Sequence, residues 1–210
     1  MSSPSGPRSI RISDDERGGW SSDRPRRGPA RPADLTVRCR VLRPADRLRY
    51  APGSLLVLVS PSAADRDRFV ERVVEDRGAI LSRDRVRRLL EGRVDAAELE
   101  DRVGELLQAA AAKRLTAGDS VVLLTDSLDA DEREPFVRLA AGSRRPRHLV
   151  LLEASREDVA EEDRSALNAL RRALDAGELG AEGFQTALRV GGRTAEEVKR
   201  IVFRPPPSDD

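Results

Sequence analysis

Three unbroken apolar runs constrain this fold more than anything else in the chain: LLVLV at 55–59, VVLLT at 121–125 and HLVLLE at 148–153. A strand without polar alternation is buried on both faces, which happens in a parallel sheet covered by helices on either side. The segments between the runs have helical spacing. Phe69, Val70, Val73 and Val74 share one helix face, which Gly78 ends. Asp95 and Glu98 make a capping-box-like start, after which Leu99, Val103, Leu106, Leu107 and Ala110 share a face up to Gly118. Further helices are predicted over RDRVRRLLEG, over DEREPFVRLAAG ending at Gly142, and over about 155–177, where Val159, Leu167, Leu170 and Leu174 fall together. AIL (79–81), TALRV (186–190) and IVF (201–203) complete the strands, with TAEEVKR as a short helix, and LTVRCRV (35–41) alternates as an edge or hairpin strand would. Strand–helix alternation of this kind predicts an α/β fold, a three-layer sandwich with a mostly parallel central sheet.

The pattern holds only between two compositionally different ends. Residues 1–34 are rich in Ser, Pro, Gly and Arg, carry the lone Trp20 and read as a disordered tail; 35–204 read as the α/β domain and 205–210 as a second short tail. Arginine supplies nearly all the positive charge, since lysine occurs only at Lys113 and Lys199. That bias fits either nucleic-acid binding or a GC-rich genome. Lys+Arg of 38 against Asp+Glu of 37 leaves a net charge of +1, with acids interleaved among the arginines as on solvated helix faces. Cys39 is the only cysteine, which excludes a disulfide framework or zinc cluster within the chain. No run is long enough to span a membrane and the N-terminus lacks a signal peptide's apolar core, so a cytoplasmic protein with no membrane partner is expected.

In parallel α/β sheets ligands bind at the carboxyl ends of the strands. The strand LLVLV runs there into SPSAADRDRF (60–69) and a helix, the context of the phosphate loop G-x-x-x-x-G-K-[ST]. Laid on that frame, Ser60 takes the first glycine position, Asp65 the second, Arg66 the lysine and Asp67 the Ser/Thr. The candidate cofactor-binding loop is thus Ser60, Ser62, Ala63, Ala64, Asp65, Arg66 and Asp67, a degenerate version of the motif. Asp67 is also a candidate metal ligand, as is Asp126 after the second buried strand.

From Leu48 to Phe203 the chain resembles the small P-loop kinases, in particular the kinase half of bacterial polynucleotide kinase–phosphatases and the zeta-toxin-like enzymes. The resemblance rests on YAPGSLLVLVSPS, on Ser82, Asp84 and Arg87 of LSRDRVRRLL, on Arg133 and Pro135 within AAAAKRLTAGDSVVLLTDSLDADEREPFVRLA, and on LRRALDAGELGAEGF, in the family's order. It implies a P-loop NTPase fold of the nucleoside/polynucleotide kinase type. It also implies catalytic candidates: Asp84, which would contact or activate the accepting hydroxyl, and Arg87, which would bind a phosphate. Read as residues alone, Asp84 could instead cap the helix beginning near Arg85. The family's glycines, its lysine and the acidic residue expected at Leu124 are missing. The span from Glu153 to Phe184 is about ten residues short of holding a lid, with Arg156 and Arg164 the basic residues at its start. Asp129 and Asp131 read as caps of the following helix, and no catalytic set assembles around the single histidine, His148.

These departures predict a pseudokinase: a kinase-like domain without efficient phosphotransfer, with no bound cofactor and a binding or regulatory role toward a protein partner. One alternative is an active kinase using ATP and Mg²⁺ on a polynucleotide 5′-hydroxyl or a small hydroxyl compound. Another makes the Arg-rich tail the working part, docking on an acidic partner or nucleic acid.

Overall fold

The structure, a computed structural model, describes residues 35–125, 127–155 and 157–205. The tail read at 1–34, the stretch 206–210 of the second tail, Asp126 and Arg156 lie outside the described residues. The strands are β1 (Arg40–Val41), β2 (Arg47–Tyr50), β3 (Leu55–Val59), β4 (Ile80–Ser82), β5 (Val121–Thr125), β6 (Arg147–Leu152), β7 (Thr186–Val190) and β8 (Arg200–Phe203). The helices are α1 (Ala63–Val73), α2 (Arg83–Leu90), α3 (Leu99–Ala117), α4 (Ala130–Gly142), α5 (Asp163–Asp175) and α6 (Arg193–Glu197).

β3 is the axis of the sheet. It pairs in parallel with β5, Leu55 opposite Val121, and with β6, Leu55 opposite Arg147, and all five of its residues are 0% exposed. Because consecutive side chains point to opposite faces, the run feeds two cores. Leu55, Val57 and Val59 join Val121, Leu123, Leu149 and Leu151 beneath α3, α4 and α5. Leu56 and Leu58 join Val122, Leu124, Val150 and Leu188 beneath α1, with Ala195 of α6 packed at the edge. The expected three-layer α/β sandwich is what forms. The strand order is β1-β7-β6-β3-β5-β4, all parallel, so the chain winds to one side of β3 and then crosses to the other. The carboxyl ends of all these strands share one rim.

Local chemistry sets the helix ends. Ser62 caps α1 by accepting from the Asp65 amide, and Ser82 caps α2 by accepting from the Arg85 amide. Gly118 closes α3 at φ 90°. Several boundaries differ from the sequence reading. α1 stops at Val73, because Val74 turns extended and bridges to Ile201; Gly78 falls in a separate 3-10 turn over Arg77–Ala79. The helix expected over 155–177 begins only at Asp163. Before it, Ser155 bonds the Asp158 carboxylate and Val159 plugs the core from a loop. The buried stripe of α3 is Val103, Leu107, Ala111 and Leu115, a strict four-residue step, so Leu106 faces outward at 47% exposure.

The second face is not purely helical. β2 and β8 pair in parallel as a separate two-stranded ribbon, so IVF lies outside the main sheet. β2 was missed by the sequence reading although Arg47, Leu48, Arg49 and Tyr50 alternate exposed and buried. LTVRCRV is neither hairpin nor antiparallel. Its end, β1, lies parallel to β7 at the sheet edge. Among the described residues no helix is long and apolar enough to cross a membrane.

At the amino ends of the strands His148 sits under the ribbon, with Nδ1 2.8 Å from the Thr186 hydroxyl and its ring 4.5 Å from that of Tyr50. His148 Nε2 and the Tyr50 hydroxyl are buried without a protein partner. Burial, followed by the Arg147 charge, pushes the imidazole down to about 4 from 6.5, and burial raises the Tyr50 phenol.

Two measurements check this packing. Leu107→Ala is expected to cost about 3 kcal/mol, from lost burial plus a cavity, and Leu106→Ala to stay within about 0.5 kcal/mol; equal losses in denaturant melts would contradict the stripe. For His148 the folded state favours the neutral ring, so its contribution is complete above the unfolded pKa of 6.5 and is lost as pH falls toward about 4. Wild type should therefore lose up to about 3 kcal/mol more than His148→Gln across that window, and parallel pH–stability curves would refute it.

Candidate active site at the carboxyl rim

The connection from β3 to α1 is only Ser60, Pro61 and Ser62, because the helix starts at Ala63. A phosphate loop works by turning several backbone amides toward one anion, which takes positive φ at some positions. Here no residue from 60 to 67 has positive φ; the one non-glycine that does, among the described residues, is Arg144 at 56°. Pro61 has no amide hydrogen to offer. Ser60 N still donates to Thr125 O of the sheet at 3.3 Å, and Ser62 N donates to the Ser60 hydroxyl at 3.2 Å. The amides of Asp65 and Arg66 are taken by the Ser62 side chain and carbonyl. The seven positions read as a degenerate loop thus divide: Ser60 and Ser62 are in the turn, while Ala63, Ala64, Asp65, Arg66 and Asp67 form the first helical turn.

Arg66 stands in the lysine's place and is 1% exposed. Its Nε and Nη2 donate to Asp67 Oδ1 at 3.0 and 2.9 Å, and Nη2 lies 3.9 Å from Asp84 Oδ2. Asp84 does not cap α2, since Ser82 does that. Its other oxygen accepts from Arg87 Nη1 at 2.7 Å. Arg87 also donates to Glu100 of α3, Nε to Oε1 at 2.7 Å, and Arg83 reaches the same carboxylate at 3.1 Å. On the solvent side Asp65 pairs with Arg68 at 3.0 Å. The sequence-derived candidates Arg66, Asp67, Asp84 and Arg87 are therefore brought into one network.

Its charges cancel: Arg66, Arg68, Arg83 and Arg87 face Asp65, Asp67, Asp84 and Glu100. The Arg87 hydrogen bond, with Arg83 behind it, holds Glu100 down at about 2, and Glu100 in turn raises Arg87. Glu100 and Arg83 were not singled out from the sequence, because a pairing that spans α2 and α3 leaves no local signature. Among the described residues no group of three or more His, Cys, Asp or Glu could hold a metal ion. Asp67 is turned to Arg66, and Asp126 lies outside the described residues. Leu124, where the acidic residue was expected, is buried at 4% in the core.

Open space remains beside the network. A cleft of ≈ 460 Å³ between α1 and α2 is lined by Asp67, Glu71, Ser82, Arg85, Arg88 and Leu89, the last 65% exposed. At the end of β6, Glu153 is held by Arg171 and by Arg189 Nε, the latter at 2.6 Å, and Arg164 pairs with Glu161 at 2.8 Å. Arg133, matched in the resemblance, is a structural clamp. It is 2% exposed, donates to the Leu128 and Asp129 carbonyls at 3.0 and 2.9 Å, and pairs with Glu182 at 2.7 Å. Asp129 takes the N-cap position of α4 without a side-chain bond, and Asp131 lies in its first turn.

No curated protein matches this chain. Among solved structures, a presumed kinase from Chloroflexus aurantiacus J-10-fl is similar over 66% of this chain and 87% of its own, at 17% identity and a TM-score of 0.45. Residues 55–176, more than half of the 210, match the family model described as an AAA domain. The chain belongs to this AAA-domain family of kinase-like P-loop NTPases.

Proposed function

We propose that this is a kinase-like domain without efficient ATP-dependent phosphotransfer, retained for binding at its carboxyl rim. The observation that carries the reading is the state of Arg66. The cation standing where a phosphate would be gripped is buried and engaged by Asp67, with Asp84 beyond it.

P-loop kinase families generally use ATP and Mg²⁺. The residues present do not fit that pair. A triphosphate needs several convergent amides and a net positive field. The turn has no positive φ and a proline in it, and the four arginines of the network beside it are matched by four carboxylates. Rebuilding the grip means unwinding the first turn of α1 and separating Arg66 from Asp67. Breaking one charge-assisted bond costs about 1.5–3 kcal/mol, and 1.4 kcal/mol is tenfold in affinity. No phosphoryl-transfer step is assigned to these residues.

A second reading has a specific observation behind it, the convergence of Arg66, Asp67, Asp84 and Arg87 beside the α1–α2 cleft. There Asp84 would act as base toward a polynucleotide 5′-hydroxyl or a small hydroxyl compound. Transfer of labelled γ-phosphate that is lost in Asp84→Ala would favour it.

Thermal melts with Mg-ATP and Mg-GTP decide between the two. A ligand at 100-fold its Kd adds about 2.7 kcal/mol, several degrees for a domain of this size. At millimolar nucleotide the wild type should shift by less than about 1 °C. A variant carrying Ser60→Gly, Asp65→Gly, Arg66→Lys and Asp67→Ser should gain a shift. Stabilisation of the wild type by several degrees would overturn the proposal.

A further inference from the structure

Outside the rim, exposed arginines without partners are concentrated in and beside the first two strands. Arg38, Arg40, Arg43, Arg47 and Arg49 are all exposed. Many other arginines are answered by acids, as Arg87 is by Asp84 and Glu100, or Arg189 by Glu153 and Asp175. None of these five has a side-chain hydrogen bond or ion pair with any residue, and Asp46 is the one acid between positions 38 and 49.

Their placement is regular. Val37, Cys39, Leu48 and Tyr50 turn inward while Arg38, Arg40, Arg47 and Arg49 turn outward, so each pair repeats at two residues, about 6.6 Å along a strand. β1 is the outer strand of the main sheet, and β2 has a partner only on its β8 side, so both present an edge. The link between them, residues 42–46, spans about 20 Å at full stretch and carries Arg43.

We propose that this arginine comb docks the phosphate backbone of duplex DNA without reading its sequence. The guanidinium fork matches a phosphate's paired oxygens, and over about 20 Å a duplex offers roughly a dozen charges. From 37 to 50 there is no Ser, Thr, Asn or Gln to add base-edge contacts to the arginines' own, and Tyr50, at 4% exposure, cannot stack on an unpaired base. This surface is separate from the α1–α2 cleft and needs no nucleotide at the rim.

Fluorescence anisotropy of the full chain with a labelled 20-base-pair duplex tests it. Micromolar binding is expected, with a log–log salt slope near −4.5 for five phosphate contacts. Replacing Arg38, Arg40, Arg43, Arg47 and Arg49 together by Gln should abolish the slope and weaken binding at least 30-fold at 100 mM salt. The same positions replaced by Lys should keep the slope. Replacing Arg8, Arg11, Arg24, Arg26 and Arg27 of the N-terminal segment by Gln should leave most of the affinity. If the five-Gln protein does not fold, Arg38→Gln/Arg40→Gln and Arg47→Gln/Arg49→Gln should each flatten the slope by about 2. The proposal is overturned if wild type does not bind, or if the Gln variants match it, in which case the comb only shields strand edges. Loss of binding in the N-terminal variant alone, or equal competition by polyglutamate, also overturns it.

Discussion

A guanidinium lies buried just past the carboxyl end of β3, and the rim is organised around that fact. Burying an arginine is costly unless carboxylates and hydrogen bonds meet it. Arg66, at 1% exposure, obtains Asp67 from its own helix and has Asp84 of α2 beyond it. Asp84 can be spared for this because Ser82 caps α2 in its stead. The chain of charges then passes through Arg87 to Glu100 and joins α1, α2 and α3. Glu100 held near 2 reflects how strongly the arginines favour its charged form.

The same constraint decides what the rim can do. In a phosphate loop the backbone bulges away from the helix so that its amides and a lysine remain available to an anion. In this chain only three residues separate strand from helix and the Ser62 side chain caps the Asp65 amide, while the cation is already balanced. The departures read from the sequence put two carboxylates, Asp65 and Asp67, at positions of the loop. The structure gives a different reason for the same expectation. Each of these acids has its own arginine, so the obstacle is less repulsion than the commitment of Arg66 and of the Asp65 and Arg66 amides to partners within the fold.

Apolar periodicity carried most of the architecture. β3, β5 and β6 were legible because a strand buried on both faces leaves an unbroken run, and α2 and α4 because their ends carry serine caps or glycine. The failures lie where tertiary contact overrides local pattern. Val74 leaves α1 to meet Ile201, Val159 is buried from a loop rather than a helix, and Leu106 loses its place to a four-residue step. At the site, the phosphate-loop frame led to Arg66 and the kinase-like blocks to Asp84 and Arg87, and the fold brings them together. Glu100 stayed hidden because nothing in an acidic helix start reveals which arginine thirteen residues upstream it will meet. Arg133 matched a family pattern, yet its contacts are those of a clamp between the loop after β5 and Glu182.

The most direct test is a crystal structure grown at saturating Mg²⁺ and a non-hydrolysable ATP analogue. The account predicts α1 still beginning at Ala63, the Arg66–Asp67 pair intact and no triphosphate against the turn after β3. A triphosphate seated on the amides of residues 61–67, with the first turn of α1 unwound and Arg66 released to it, would contradict it.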